Sequence, residues 1–83
     1  MSLYQVQKLL FNVHNNLDLR KSYLANPEEI AKAYDFREEE RRALRSRDIG
    51  SLYRMGVNPW LLFQFAHIVG MDNAEYLKQI RGE

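Results

Sequence analysis

Cysteine is absent from this chain of 83 residues. Its absence excludes disulfide bonds, thiolate metal sites and a cysteine nucleophile, and it is typical of proteins in the reducing cytoplasm. The beginning of the sequence has no lysine-flanked apolar run, so we expect no signal peptide or membrane anchor. The sequence therefore predicts a cytoplasmic protein whose stability depends on its apolar core.

A strong charge of one sign is also lacking, since 12 basic and 11 acidic residues give a net charge of +1. A charge this small produces no strong field to attract a polyanion, so we expect no nucleic-acid partner. The longest apolar run is shorter than the roughly 20 residues that a membrane-spanning helix needs, so we expect no membrane contact.

What remains is an ordinary globular composition, with 46% hydrophobic and 28% charged residues. The length predicts one domain, residues 1–83. No window alternates with period two for long enough to indicate a strand, whereas helix-start signals recur at Asn26, Asp48, Asn58 and Asp72. We predict an all-α fold, a compact bundle of about five to seven short helices around one central apolar helix.

The central helix is predicted to begin at Asn58, which can cap it, with Pro59 in the first helical position. It continues to Gly70 and is apolar around almost its whole circumference, a pattern typical of a buried helix. We expect its core side to be formed by Leu61, Leu62, Phe65, Ile68 and Val69.

One stripe interrupts this apolar surface. Trp60, Gln64 and His67 follow one another at spacings of four and three residues, which places them on one side of the helix. We interpret this stripe as the best candidate for contact with a partner or a small aromatic molecule. The alternative is that it faces water or a neighbouring helix.

The first helix has two apolar sides. One follows helical spacing and is predicted to face the core; its residues are Leu3, Val6, Leu9, Leu10 and Val13. Tyr4 and Phe11 lie nearly opposite. We expect the chain's own C-terminal helix to cover them, with a second copy or a partner as alternatives.

Residues 37–47 read REEERRALRSR, which predicts a charged, solvated helix that touches the core only through Ala43 and Leu44. No arrangement typical of catalysis or metal binding is evident. His14 and His67 are far apart, and no acidic residue lies within a turn of His67 on its helix. We expect no catalytic residue, no metal ligand and no cofactor in this chain, which on these grounds is a binding or structural protein.

Several blocks resemble the small α subunit of protocatechuate 4,5-dioxygenase, the LigA-type subunit of extradiol ring-cleaving dioxygenases. They are Tyr23-Leu24-Ala25-Asn26-Pro27-Glu28, Glu39-Glu40-Arg41-Arg42-Ala43-Leu44, Arg47-Asp48, and above all Leu52-Tyr53-Arg54-Met55-Gly56-Val57-Asn58-Pro59-Trp60-Leu61-Leu62. The resemblance covers roughly residues 1–70. Arg37 departs from it, because the family usually has a Ser or Thr helix cap there.

The resemblance implies an all-helical, non-catalytic accessory subunit in aromatic-compound catabolism. Such a subunit lies over the active-site mouth of a larger catalytic subunit, which carries the Fe(II). The residues implied near the partner or substrate are Tyr53, Gly56, Val57, Asn58, Pro59, Trp60, Gln64 and His67.

Two other functions remain open. The chain is alternatively a stand-alone helical interaction module that associates with a second copy of itself and has no dioxygenase activity. A third possibility is a recognition domain for a peptide-modifying enzyme, although only Arg81, Gly82 and Glu83 follow the last apolar residue.

Overall fold

The computed structural model describes residues 2–82, apart from the side chain of residue 2, and these residues form seven α-helices and no β-strand. The helices are α1 (Ser2–Asn15), α2 (Leu17–Ala25), α3 (Pro27–Ala31), α4 (Glu38–Ser46), α5 (Ile49–Met55), α6 (Pro59–Ile68) and α7 (Asn73–Arg81). The Cα radius of gyration is 11.7 Å, close to the value of about 12 Å expected for a compact domain of this length. The predicted all-α bundle is confirmed.

The four predicted helix starts are confirmed by their capping hydrogen bonds. In each case a side-chain oxygen accepts from a backbone N–H two or three residues later, which satisfies a donor that has no partner within the helix. The caps are Asn26 for α3, Asp48 for α5, Asn58 for α6 and Asp72 for α7.

The centre of the core lies between α1 and α6, which pack against each other. Helix α1 contributes Val6, Leu9, Leu10 and Val13, each no more than 2% exposed. Helix α6 also contacts α5, which in turn packs against α4 and α7. Helices α2 and α5 thus pack directly on this pair, while α3, α4 and α7 pack mainly on α2 and α5 and on one another.

Helix α6 is buried on one side only, so it is less buried than its almost wholly apolar circumference indicated. Its fully buried residues are Leu62, Phe65 and Ala66, while Phe63 is 37% exposed. Leu61, Ile68 and Val69, which were predicted to be core residues, are partly buried against the core. The reason is that α1 and α5 together leave one side of α6 uncovered.

The expectation that the C-terminal helix covers Tyr4 and Phe11 is wrong. Helix α7 packs against α5. Tyr4 and Phe11 are therefore 61% and 55% exposed.

The charged segment forms α4, and Ala43 and Leu44 are buried as predicted. Glu40 departs from the prediction of a solvated charge, because it is only 3% exposed. Its Oε1 accepts a hydrogen bond from the backbone N–H of Arg37 at 2.8 Å. This bond is one half of a capping box. The other half is missing, because the arginine side chain carries donors only and cannot accept from the backbone N–H of Glu40.

Candidate functional site

The loop between α5 and α6 positions the residues predicted to contact a partner. Gly56 ends α5 with φ of 105°, in the left-handed region that suits glycine. Val57 then turns inward and is 1% exposed, and Asn58 caps α6 by accepting from Trp60 N at 2.8 Å and Leu61 N at 3.3 Å. The buried valine anchors the loop, and the cap fixes where α6 begins.

Val57 was predicted to belong to the interface, and the structure corrects its role. Its side chain lies in the core, so it holds the loop in place and is not available for contact with another molecule.

The loop is also tied to α1. The backbone N–H of Asn58 donates to Oε1 of Gln7 at 2.8 Å. Because these residues lie 51 positions apart, the bond fixes the beginning of α6 against the middle of α1.

The exposed side of α6 carries the predicted stripe. Trp60 is 53% exposed, His67 is exposed and Gln64 is half-buried. Phe63 lies beside them on the same side, at three residues from Trp60 and four from His67. The structure thus places the three stripe residues together and adds the ring of Phe63 to them.

Three contacts orient the aromatic rings of this side. The ring of Trp60 meets the ring of His14 edge to face, with centroids 4.9 Å apart. Phe63 meets His67 at 4.3 Å and Tyr76 of α7 at 5.3 Å, both in edge-on geometry. Edge-to-face pairs of this kind stabilise a particular arrangement of rings beyond what burial alone provides.

Hydrogen bonds orient the polar atoms. Nδ1 of His67 lies 2.9 Å from the carbonyl oxygen of Phe63. Since a carbonyl oxygen only accepts, Nδ1 carries the hydrogen, and Nε2 is the acceptor of the neutral ring. The hydroxyl of Tyr76 donates to the carbonyl oxygen of Pro59 at 3.4 Å, which joins α7 to the first turn of α6.

Tyr53, at the end of α5, extends this surface towards α7. It is 40% exposed. Desolvation, with a smaller contribution from the nearby Tyr53, raises the pKa of the Tyr76 hydroxyl above its ordinary value. The Tyr76 hydroxyl is therefore neutral at physiological pH and serves as a hydrogen-bonding group.

We call this set the aromatic surface. It consists of Tyr53, Pro59, Trp60, Phe63, Gln64, His67 and Tyr76. Of the predicted residues it includes Tyr53, Pro59, Trp60, Gln64 and His67; Gly56 and Asn58 are exposed at its edge. Helical spacing did not indicate Tyr76, because its contact with Phe63 joins residues 13 positions apart on two different helices.

Within the described residues, no three His, Asp or Glu side chains lie together in a way that would hold a metal ion. Among the same residues, no helix is both long and apolar enough to cross a bilayer. The groups of the aromatic surface can pack against other rings and form hydrogen bonds.

The features above define an all-α protein with an exposed aromatic surface. Residues 6–83 match the family described as aromatic-ring-opening dioxygenase LigAB, LigA subunit, and the chain belongs to this family. The match reaches through α7, beyond residue 70, where the resemblance noted in the sequence ended. No curated protein is similar enough in sequence to count as a match.

Proposed function

We propose that this chain is a non-catalytic accessory subunit of an extradiol, protocatechuate 4,5-type dioxygenase. In this proposal a separate cytoplasmic subunit carries the Fe(II) and its ligands. The small chain packs over the mouth of the active site through the aromatic surface. Family membership supports a place in a multi-subunit ring-opening dioxygenase.

The observation that carries the proposal is the exposure of aromatic rings on α6. Trp60 and Phe63 leave 53% and 37% of their surface open, although large aromatic side chains have much to gain from burial. They are held in fixed orientations by His14, His67 and Tyr76. Rigid, exposed aromatic side chains are the residue types that contribute most at protein interfaces, because little conformational entropy is lost when they are covered.

The same surface suits an aromatic substrate. Ring faces and edges contact another aromatic ring favourably in edge-to-face or offset geometry. The polar groups at the surface, the side chain of Gln64 and Nε2 of His67, can hydrogen-bond to hydroxyl groups. A lid of this composition would exclude water from the active site and contribute to the wall around the ring.

The experiment is co-expression of this chain with the ring-cleaving iron subunit from the same cell. We expect the two chains to co-purify and the mixture to open the ring of protocatechuate faster than the iron subunit alone. Trp60→Ala should weaken both effects. Leu24→Ala is the matched control, because Leu24 is also exposed, at 42%, but lies on α2.

The alternative is that the aromatic surface joins two copies of this chain. That function predicts a defined homo-oligomer that Trp60→Ala dissociates, and a rate of ring opening that does not change when this chain is added. Recovery of the chain only with itself, together with an unchanged rate, would contradict the accessory-subunit proposal.

A further inference from the structure

A second exposed surface lies on α1, and we call it the α1 groove. It is lined by Tyr4, Gln7, Lys8, Phe11 and Leu61, and its volume is about 300 Å³. Tyr4 and Phe11 are the two most exposed aromatic side chains of the described residues, at 61% and 55%. Two large apolar groups beside an open groove are a feature of surfaces that bind another polypeptide.

The spacing of the groove fits a helix. Tyr4 and Phe11 are seven residues apart on α1, which is two turns or about 10 Å along the axis. Leu61 of α6 adds a third apolar group to the lining. An amphipathic helix places apolar side chains at i, i+3 or i+4, and i+7. These side chains form a ridge about as long as the distance between Tyr4 and Phe11 along α1, so the ridge can pack against the two aromatic rings.

The polar groups of the groove favour an acidic occupant. Lys8 carries only donors, and no ion pair found among residues 3–82 includes it. Gln7 already uses Oε1 to accept from the N–H of Asn58, and its Nε2 is a donor. Helix α1 contains no Asp or Glu. A carboxylate is the group that complements this combination.

The same charge pattern disfavours a second copy in the groove. A symmetric pairing of two α1 helices across their Tyr4 and Phe11 sides brings Lys8 of each copy to the centre of the contact. Like charges facing each other at an interface are unfavourable, and α1 offers no carboxylate to compensate them.

We propose that the α1 groove binds an acidic amphipathic helix of another polypeptide. The helix places its apolar ridge between Tyr4 and Phe11 and directs an Asp or Glu towards Lys8. This proposal concerns a different side of the molecule from the aromatic surface. It holds whether or not the polypeptide is the iron-bearing subunit.

The test uses the full chain and a displayed library of helical peptides. Leucine is fixed at i, i+3, i+4 and i+7, and the flanking positions are randomised. We expect the unmodified chain to select Asp and Glu beside the ridge, and Lys8→Glu to select Lys and Arg. Phe11→Ala should select neither. The unmodified chain and the two variants should have the same helical circular dichroism spectrum, because Lys8 and Phe11 are exposed.

A selected peptide then gives a quantitative comparison. Replacing its acidic residue with lysine should weaken binding to the unmodified chain by roughly fivefold, as expected for an exposed charge pair. The proposal is overturned if no peptide is enriched over Phe11→Ala, or if Lys8→Glu still selects acidic residues. It is equally overturned if sedimentation shows a dimer that Phe11→Ala dissociates, because the occupant is then a second copy. None of these results depends on ring opening, so the two proposals can fail separately.

Discussion

The ring of Trp60 meets the ring of His14 edge to face, with centroids 4.9 Å apart and an angle of 78° between the planes. The contact joins the first turn of α6 to the last turn of α1. It orients Trp60 although 53% of that side chain is open to solvent. The molecule thus holds an exposed ring in one orientation.

The two sides of α6 should respond differently to truncation. Phe65→Ala should lower the free energy of unfolding by about 3–5 kcal/mol, because it leaves a cavity at a side chain that is 1% exposed. Trp60→Ala removes mainly the contact with His14 and should cost only about 1 kcal/mol. Urea unfolding followed by circular dichroism measures both values. Equal losses would show that Trp60 is a core residue and that our interpretation of the stripe is wrong.

Gly50 marks the close contact between α5 and α7. A Cβ added there would lie 2.6 Å from the backbone carbonyl oxygen of Gln79. Gly50→Ala should therefore lower the melting temperature, although alanine favours an isolated helix over glycine by about 1 kcal/mol. The control is Arg54→Ala on the same helix, which shortens an exposed side chain and should leave the melting temperature nearly unchanged. An unchanged or higher melting temperature for Gly50→Ala would contradict the close contact between Gly50 and Gln79.

The free energy of unfolding should depend on pH in the acidic range, because Asp48 caps α5. Hydrogen bonds from the backbone N–H and the hydroxyl of Ser51 lower the pKa of the Asp48 carboxyl below its ordinary value of 3.8. The charged Asp48 carboxylate stabilises the folded state fully above pH 3.8. This stabilisation is lost as the pH falls through the lower pKa that Asp48 has in the folded state.

Asp48→Asn is the matched control for this dependence, since Asn is an equally good cap and has no charge to titrate. The free energies of unfolding of the two chains should converge as the pH falls below 3.8. A constant difference between them, measured by urea unfolding over this range, would contradict the assignment.

Because of Tyr23, the free energy of unfolding should also depend on pH in the alkaline range. Burial raises the pKa of its hydroxyl from 10.0 to about 12, with Arg47 acting in the opposite direction and Glu28 adding to the effect. Because this folded-state pKa is higher than the unfolded one, stability is fully present below pH 10 and declines as the pH rises towards 12.

Spectroscopic titration of phenolate absorbance checks this assignment. The chain has five tyrosines, and the raised pKa of Tyr23, like that of Tyr76, should delay its ionisation beyond that of an ordinary phenol. Tyr23→Phe should remove the ionisation step near pH 12. A late step that survives Tyr23→Phe belongs to another residue.

The helix starts could be predicted because their signals are local. Asp48 and Asp72, for example, each cap a helix by accepting from a residue three positions later. A bond over so short a distance in sequence does not depend on the rest of the fold. The exposed stripe of Trp60, Gln64 and His67 was also visible, because its spacing is that of a single helix.

What could not be predicted depends on which helices pack together. Tyr4 and Phe11 are exposed because α7 packs against α5 and not against α1. Tyr76 joins the aromatic surface through Phe63, 13 residues earlier and on another helix. Val57 is buried although it lies within the block that carries the family resemblance. None of these contacts has a signal within one helical turn.

The most direct test of the accessory-subunit proposal is fluorine NMR of this chain, with its single tryptophan, Trp60, replaced by fluorotryptophan. Unlabelled iron-bearing subunit is then added in increasing amounts. We predict that the one fluorine resonance shifts and broadens until the two subunits are equimolar, because the partner covers the exposed ring. A partner that co-purifies with the chain but leaves this resonance unchanged would contradict the central claim, since it would bind elsewhere and leave the aromatic surface open.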